Sequence, residues 1–61
     1  MKVVIDNKTK NIKARTVSEL LDKLDLTNMN AVVVKGKEIL VPNDVLKESD
    51  RPEVLKVRSG G

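Results

Sequence analysis

The sequence contains no cysteine, no histidine and no aromatic residue, and only three glycines and two prolines in 61 residues. Each gap removes a class of chemistry. Without a thiol or an imidazole there is no thiolate nucleophile and no side chain that titrates near neutral pH unaided, so Ser-His and Cys-His machinery is excluded. No disulfide or zinc staple can hold the fold, and stability must come from aliphatic packing. The lack of cysteine also fits a reducing compartment. No apolar run approaches the ~20 residues of a membrane-spanning helix. Met1-Lys2 is followed by only Val3, Val4 and Ile5 before Asp6, too short for the hydrophobic region of a signal peptide. A cytoplasmic protein with no membrane partner is expected.

What remains is aliphatic and charged: 39% hydrophobic residues, 12 basic and 9 acidic, for a net charge of +3. A chain of this length makes one small domain that buries only about 60% of its unfolded surface. A cleft with its own catalytic groups would consume side chains that the core needs, so an enzyme is not expected. Asp44, Glu48, Asp50 and Glu53 could in principle meet a hard cation, but their spacing lacks the glycine and ligand positions of an EF-hand loop. They read as solvated loop residues, and no metal or bound cofactor is expected. Residues 1 to 15 carry a charge of +4 and residues 54 to 61 a charge of +2. A small basic nucleic-acid-binding domain is thus one alternative, opposed by the absence of any ring on which a base could stack.

Along the chain, Met1, Val3 and Ile5 alternate with Lys2, Val4 and Asp6, the period of a strand with one buried face. Asn7 to Lys10 read as a turn, and Ile12 and Ala14 as the inward positions of a second strand in a hairpin. Thr16-Val17-Ser18-Glu19 has capping-box spacing, with the Thr hydroxyl accepting from the backbone three residues on and the Glu reaching back. The helix that follows carries Val17, Leu20, Leu21 and Leu24 as one stripe and ends near Asp25. Ala31 to Lys35 and Glu38 to Val41 read as two strands around a Gly36-Lys37 turn, closed by Pro42. Asn43 to Leu46 suggests a single helical turn, Lys47 to Pro52 a loop, and Glu53 to Arg58 a last strand. That strand can lie in the middle of the sheet, parallel to the first, with the helix on one face, which is an α+β arrangement. Val3, Ile5, Ile12, Val32, Val34, Leu55 and Val57 would join the helix stripe in the core.

This element order, and the ending Leu55-Lys56-Val57-Arg58-Ser59-Gly60-Gly61, resemble the β-grasp, ubiquitin-like fold and its small sulfur-carrier branch. Thr16-Val17-Ser18-Glu19-Leu20-Leu21 is similar to the helix start of the thiamine-biosynthesis sulfur carriers, and Val34-Lys35-Gly36-Lys37-Glu38-Ile39-Leu40-Val41-Pro42 to their strand-turn-strand. The length fits that group better than the longer molybdopterin-synthase small subunits. Where the family often has Asp-Gly-Asp before the last strand, this chain has Glu48-Ser49-Asp50-Arg51-Pro52. The resemblance implies a mixed sheet of four to five strands with one main helix on one face, a domain over residues 1–58 and a flexible tail over residues 59–61.

A terminal Gly-Gly alone is weak evidence, since two glycines at a fixed place arise by chance in roughly 0.5% of chains. With a strand directly before it, the resemblance implies that the carboxylate of Gly61 is the reacting group. An ATP-using, ubiquitin-activating-type adenylyltransferase would join it to AMP. A sulfur donor would then leave a thiocarboxylate for a sulfur-acceptor synthase, in thiamine thiazole, molybdopterin or tRNA thiolation. Gly60 and Gly61 carry no Cβ that would obstruct a narrow channel. A protein modifier that forms isopeptide bonds to lysines uses the same parts and differs only in the acceptor. For docking, Val4, Val33 and Val54 are expected to point outward from the sheet, within a basic rim of Lys2, Lys13, Arg15, Lys35, Lys56 and Arg58, with Ser59 beside them. Such a rim would favour an acidic partner surface.

Overall fold

The computed structural model describes residues 1–57, so Arg58, Ser59, Gly60 and Gly61, and the expected tail, lie outside the described residues. Five strands and one helix follow in the order β1 (Lys2–Ile5), β2 (Lys8–Asn11), α1 (Val17–Lys23), β3 (Ala31–Lys35), β4 (Glu38–Leu40) and β5 (Glu53–Lys56). They form one mixed sheet with the strand order β2-β1-β5-β3-β4. β5 lies between β1 and β3, parallel to the first and antiparallel to the second. This is the α+β architecture of a β-grasp, with the last strand in the centre.

The first hairpin is tighter than its sequence suggests. Asp6 and Asn7 both adopt left-handed backbone angles, φ 53° and 61°, which makes them the two central residues of the turn whose twist matches paired strands. Asp and Asn tolerate that region better than other side chains. Asn7 to Lys10 is therefore not a turn: Lys8 already pairs with Ile5, and Asn11 with Lys2. Ile12 and Ala14 follow the strand instead of forming it, and both pack against the core from its margin.

The helix starts where the capping pattern places it. Thr16 has extended backbone angles, and its hydroxyl accepts from the Glu19 amide at 3.2 Å. Glu19 lines a depression on the helix side of the molecule with Lys13, Arg15 and Lys23. At the other end Asp25 takes φ 61°. The Leu26 amide then donates to the Leu21 carbonyl at 2.8 Å and the Asp25 amide to Asp22 at 3.1 Å, the paired bonds that close a helix with a left-handed residue.

Asn43 to Leu46 form no helical turn. Val45 makes an isolated antiparallel bridge to Thr16, Leu46 donates to the Arg15 carbonyl at 2.8 Å, and Val17 and Ser18 donate to Asp44 and Pro42 at 3.1 Å each. The segment satisfies amides of the first helical turn from outside, which a free helical turn could not do. It also brings Leu46 into the core.

That core consists of Val3, Ile5, Val17, Leu20, Leu21, Ala31, Val33, Leu46 and Val54. The core residues of β3 and β5 are thus Ala31, Val33 and Val54; Val32, Val34, Leu55 and, just beyond β5, Val57 are not among them. Among the described residues, no helix is long and apolar enough to cross a membrane.

Candidate functional site

The two glycines expected to carry the chemistry, Gly60 and Gly61, lie outside the described residues, as do Arg58 and Ser59. What the fold does place is the strand that leads to them. β5 is held by β3 through Ala31–Lys56, Val32–Leu55, Val33–Val54 and Val34–Glu53. The Val57 amide donates to the Asn30 carbonyl at 2.8 Å. The approach to the glycines therefore starts from the middle of the sheet.

Residues paired across a ladder share a face. Val33 and Val54 are paired and are only 1% and 2% exposed. Both point toward the helix, which corrects the expectation that they form the outward docking surface. Val4 keeps its place: it alternates with the buried Val3 and Ile5 and so lies on the outer face. The same alternation puts Val32, Val34 and Leu55 beside it, and Ile39 through its pairing with Val34. Leu55 is 45% exposed and Ile39 72%. Glu53 stands in register with both Val4 and Val34, so the apolar outer face has a carboxylate within it.

The basic rim is also distributed differently. Lys56 is in register with Ala31, on the helix side of the sheet, and its Nζ donates to Asp6 Oδ2 at 3.0 Å. Lys35 stands 3.7 Å from Asp50. Lys13 and Arg15 line the depression of about 420 Å³ that also takes in Met1, Ala14, Leu46, Glu48, Glu19 and Lys23. They belong to the helix side of the molecule; of the described residues expected in the rim, Lys2 is the one whose register with Asn11, beside the Val4–Thr9 pair, assigns it to the outer face.

Two of the carboxylates considered for a cation are engaged in turns. Asp44 accepts from the Val41 amide and Asp50 from the Lys47 amide, each at 2.8 Å. Among the described residues, no three His, Cys, Asp or Glu side chains stand together as a metal site.

The facing of Val32 and Val34 is not legible locally, because Ala31-Val32-Val33-Val34 is apolar at every position and has no period of two to read. The usable signal was Ala31. A small residue fits where the sheet lies against the helix, and it sets Val33, two residues on, to the same side.

No protein-family model matches this chain. The sulfur carrier protein TtuB of Thermus thermophilus is 40% identical to it over 47 residues, which span 77% of this chain and 72% of that protein.

Proposed function

The chain belongs to the sulfur carrier proteins, a kind of protein that carries a substrate and does not itself catalyse, and from that we propose that its reacting group is the carboxylate of Gly61. In this reading Gly61 ends the mature protein. A carboxylate is a poor electrophile because its charge is shared by both oxygens. An activating enzyme removes that obstacle by joining the carboxylate to the α-phosphate of ATP, with release of pyrophosphate. A sulfur nucleophile then attacks the carbonyl carbon and AMP leaves, and the resulting thiocarboxylate hands its sulfur to an acceptor enzyme. The kinship with a sulfur carrier over most of both chains is the observation that supports this most.

The outer sheet face is the docking surface in this proposal, and chain length is the reason. Four residues separate Val57 from the carboxylate, a reach of at most ~14 Å when fully extended. An enzyme that receives the carboxylate must therefore come close to the end of β5, where Leu55 and Val57 are exposed. Apolar side chains held on a rigid sheet lose little freedom on docking, whereas each residue ordered beyond it costs about 1–2 kcal/mol. Affinity is best drawn from Val4, Val32, Val34, Ile39 and Leu55.

The test is intact mass. Incubation with the host's activating enzyme, ATP and a sulfur donor is expected to make the protein heavier by the difference between a sulfur and an oxygen atom. Much heavier species that release the carrier only on isopeptide cleavage would assign it to protein modification, and an unchanged mass would count against the proposal.

A further inference from the structure

The ladder between β1 and β5 ends early. It comprises Val4 with Glu53 and Ile5 with Val54, because the chain turns away at Asp6-Asn7. β3 runs on beside β5 as far as Lys56. Among the described residues, β5 therefore has a strand neighbour on one side only from Leu55 onward. On the other side is a depression of about 420 Å³ lined by Asp6, Asn7, Glu53, Val54, Leu55 and Lys56. Across it, Lys56 Nζ donates to Asp6 Oδ2 at 3.0 Å. The left-handed turn and the ion pair meet where the backbone pairing has run out.

We propose that Asp6 is a positioning residue for the sulfur-carrying end: by holding Lys56 across this gap, it keeps the end of β5 in the sheet and sets the direction in which the chain leaves Val57. This rests on the reading of Gly61 given above. Both partners are partly exposed, so the pair biases a population and does not lock it. The free-energy range of exposed ion pairs corresponds to a factor of at most about five. Apparent affinity falls in proportion to the fraction of molecules poised to bind. Losing the pair should therefore raise KM for the carrier by up to about fivefold and leave kcat unchanged, since the carboxylate itself is not altered. Among the described residues, Glu53 is the other carboxylate lining the depression. Its register with Val4 and Val34 assigns it to the opposite face, so it does not substitute for Asp6.

Asp6→Asn is the informative change, because Asn accepts left-handed backbone angles and the turn survives. The full-length protein, Asp6→Asn, Lys56→Gln, the double variant and Lys56→Arg would be compared in ATP–pyrophosphate exchange with the activating enzyme, and by amide hydrogen exchange at Leu55 to Val57. Each single variant is expected to show the raised KM and faster exchange at these amides. The double variant should be no worse than either single one, as for two members of one interaction, and Lys56→Arg should match the wild type. Equal KM values for Asp6→Asn and wild type, or additive losses in the double variant, would overturn the proposal. So would unchanged amide exchange. If the wild type itself is not activated, the reading of Gly61 fails, and the amide measurements alone decide whether Asp6 holds β5.

Discussion

Val33 faces Val54 directly across the antiparallel β3–β5 ladder, and both side chains are turned to the helix. This one pairing fixes which side of the sheet is core and which is surface. A strand shifted by a single residue would exchange the two sets, placing Val32 and Leu55 inside. The distinction can be measured. Val33→Ala and Val54→Ala are each expected to lower the unfolding free energy by about 1–3 kcal/mol. Val32→Ala and Leu55→Ala should stay within about 0.5 kcal/mol of wild type. Urea unfolding of the four variants would decide, and equal losses at all four positions would refute the assignment of faces.

The outer face should matter for activation and not for folding. Leu55→Ser is expected to keep the wild-type unfolding transition and to raise KM for the activating enzyme by more than about fivefold, the effect of losing over 1 kcal/mol at an interface anchor. Lys13→Glu and Arg15→Glu lie on the helix side and should leave KM within about twofold. Kinetics on purified carrier would show it, and a larger effect at Arg15 than at Leu55 would move the docking surface to the helix side.

At the reacting end the demand is steric. Gly61→Ala places a methyl group beside the carboxylate and changes nothing within residues 1–57. Misplacement of a reacting group by about 1 Å costs about a hundredfold, so adenylation should fall at least that far while the melting temperature is unchanged. Pyrophosphate exchange and calorimetry on the same sample give both readings. Normal activation of the variant would sink the proposed chemistry.

The helix cap makes a purely structural prediction. Thr16→Ala removes the acceptor for the Glu19 amide and should cost about 1 kcal/mol. In a domain of this size that lowers Tm by roughly 4–8 °C. Thr16→Ser keeps the hydroxyl and should recover most of it. Thermal melts followed by circular dichroism would test both.

Gly36 is a position where backbone conformation alone decides. Its φ is 62° and an added Cβ would meet nothing within 4 Å. Gly36→Ala should therefore destabilise the β3–β4 hairpin by about 1–2 kcal/mol from left-handed strain alone, and Gly36→Asn by less. Equal stability of all three proteins would mean that the turn can adopt another geometry.

Local signals in this sequence were sufficient wherever a residue's role depends on its near neighbours. The Thr16 cap, the Leu20 and Leu21 stripe, the Gly36-Lys37 turn and the alternation of Val3 and Ile5 each follow from spacing within one element. So does the exclusion of thiol and imidazole chemistry, which needs only the residues that are missing. Tertiary structure decided the rest. Whether Val33 or Val32 faces the helix depends on pairing with Val54 of β5, 21 positions further along the chain, because four consecutive apolar residues carry no alternation. The contact of Lys56 with Asp6, and the capture of the helix start by Pro42 and Asp44, likewise join parts of the chain that local patterns treat separately. Burial and pairing are properties of the closed sheet, and a residue acquires them only from whatever the fold sets opposite to it.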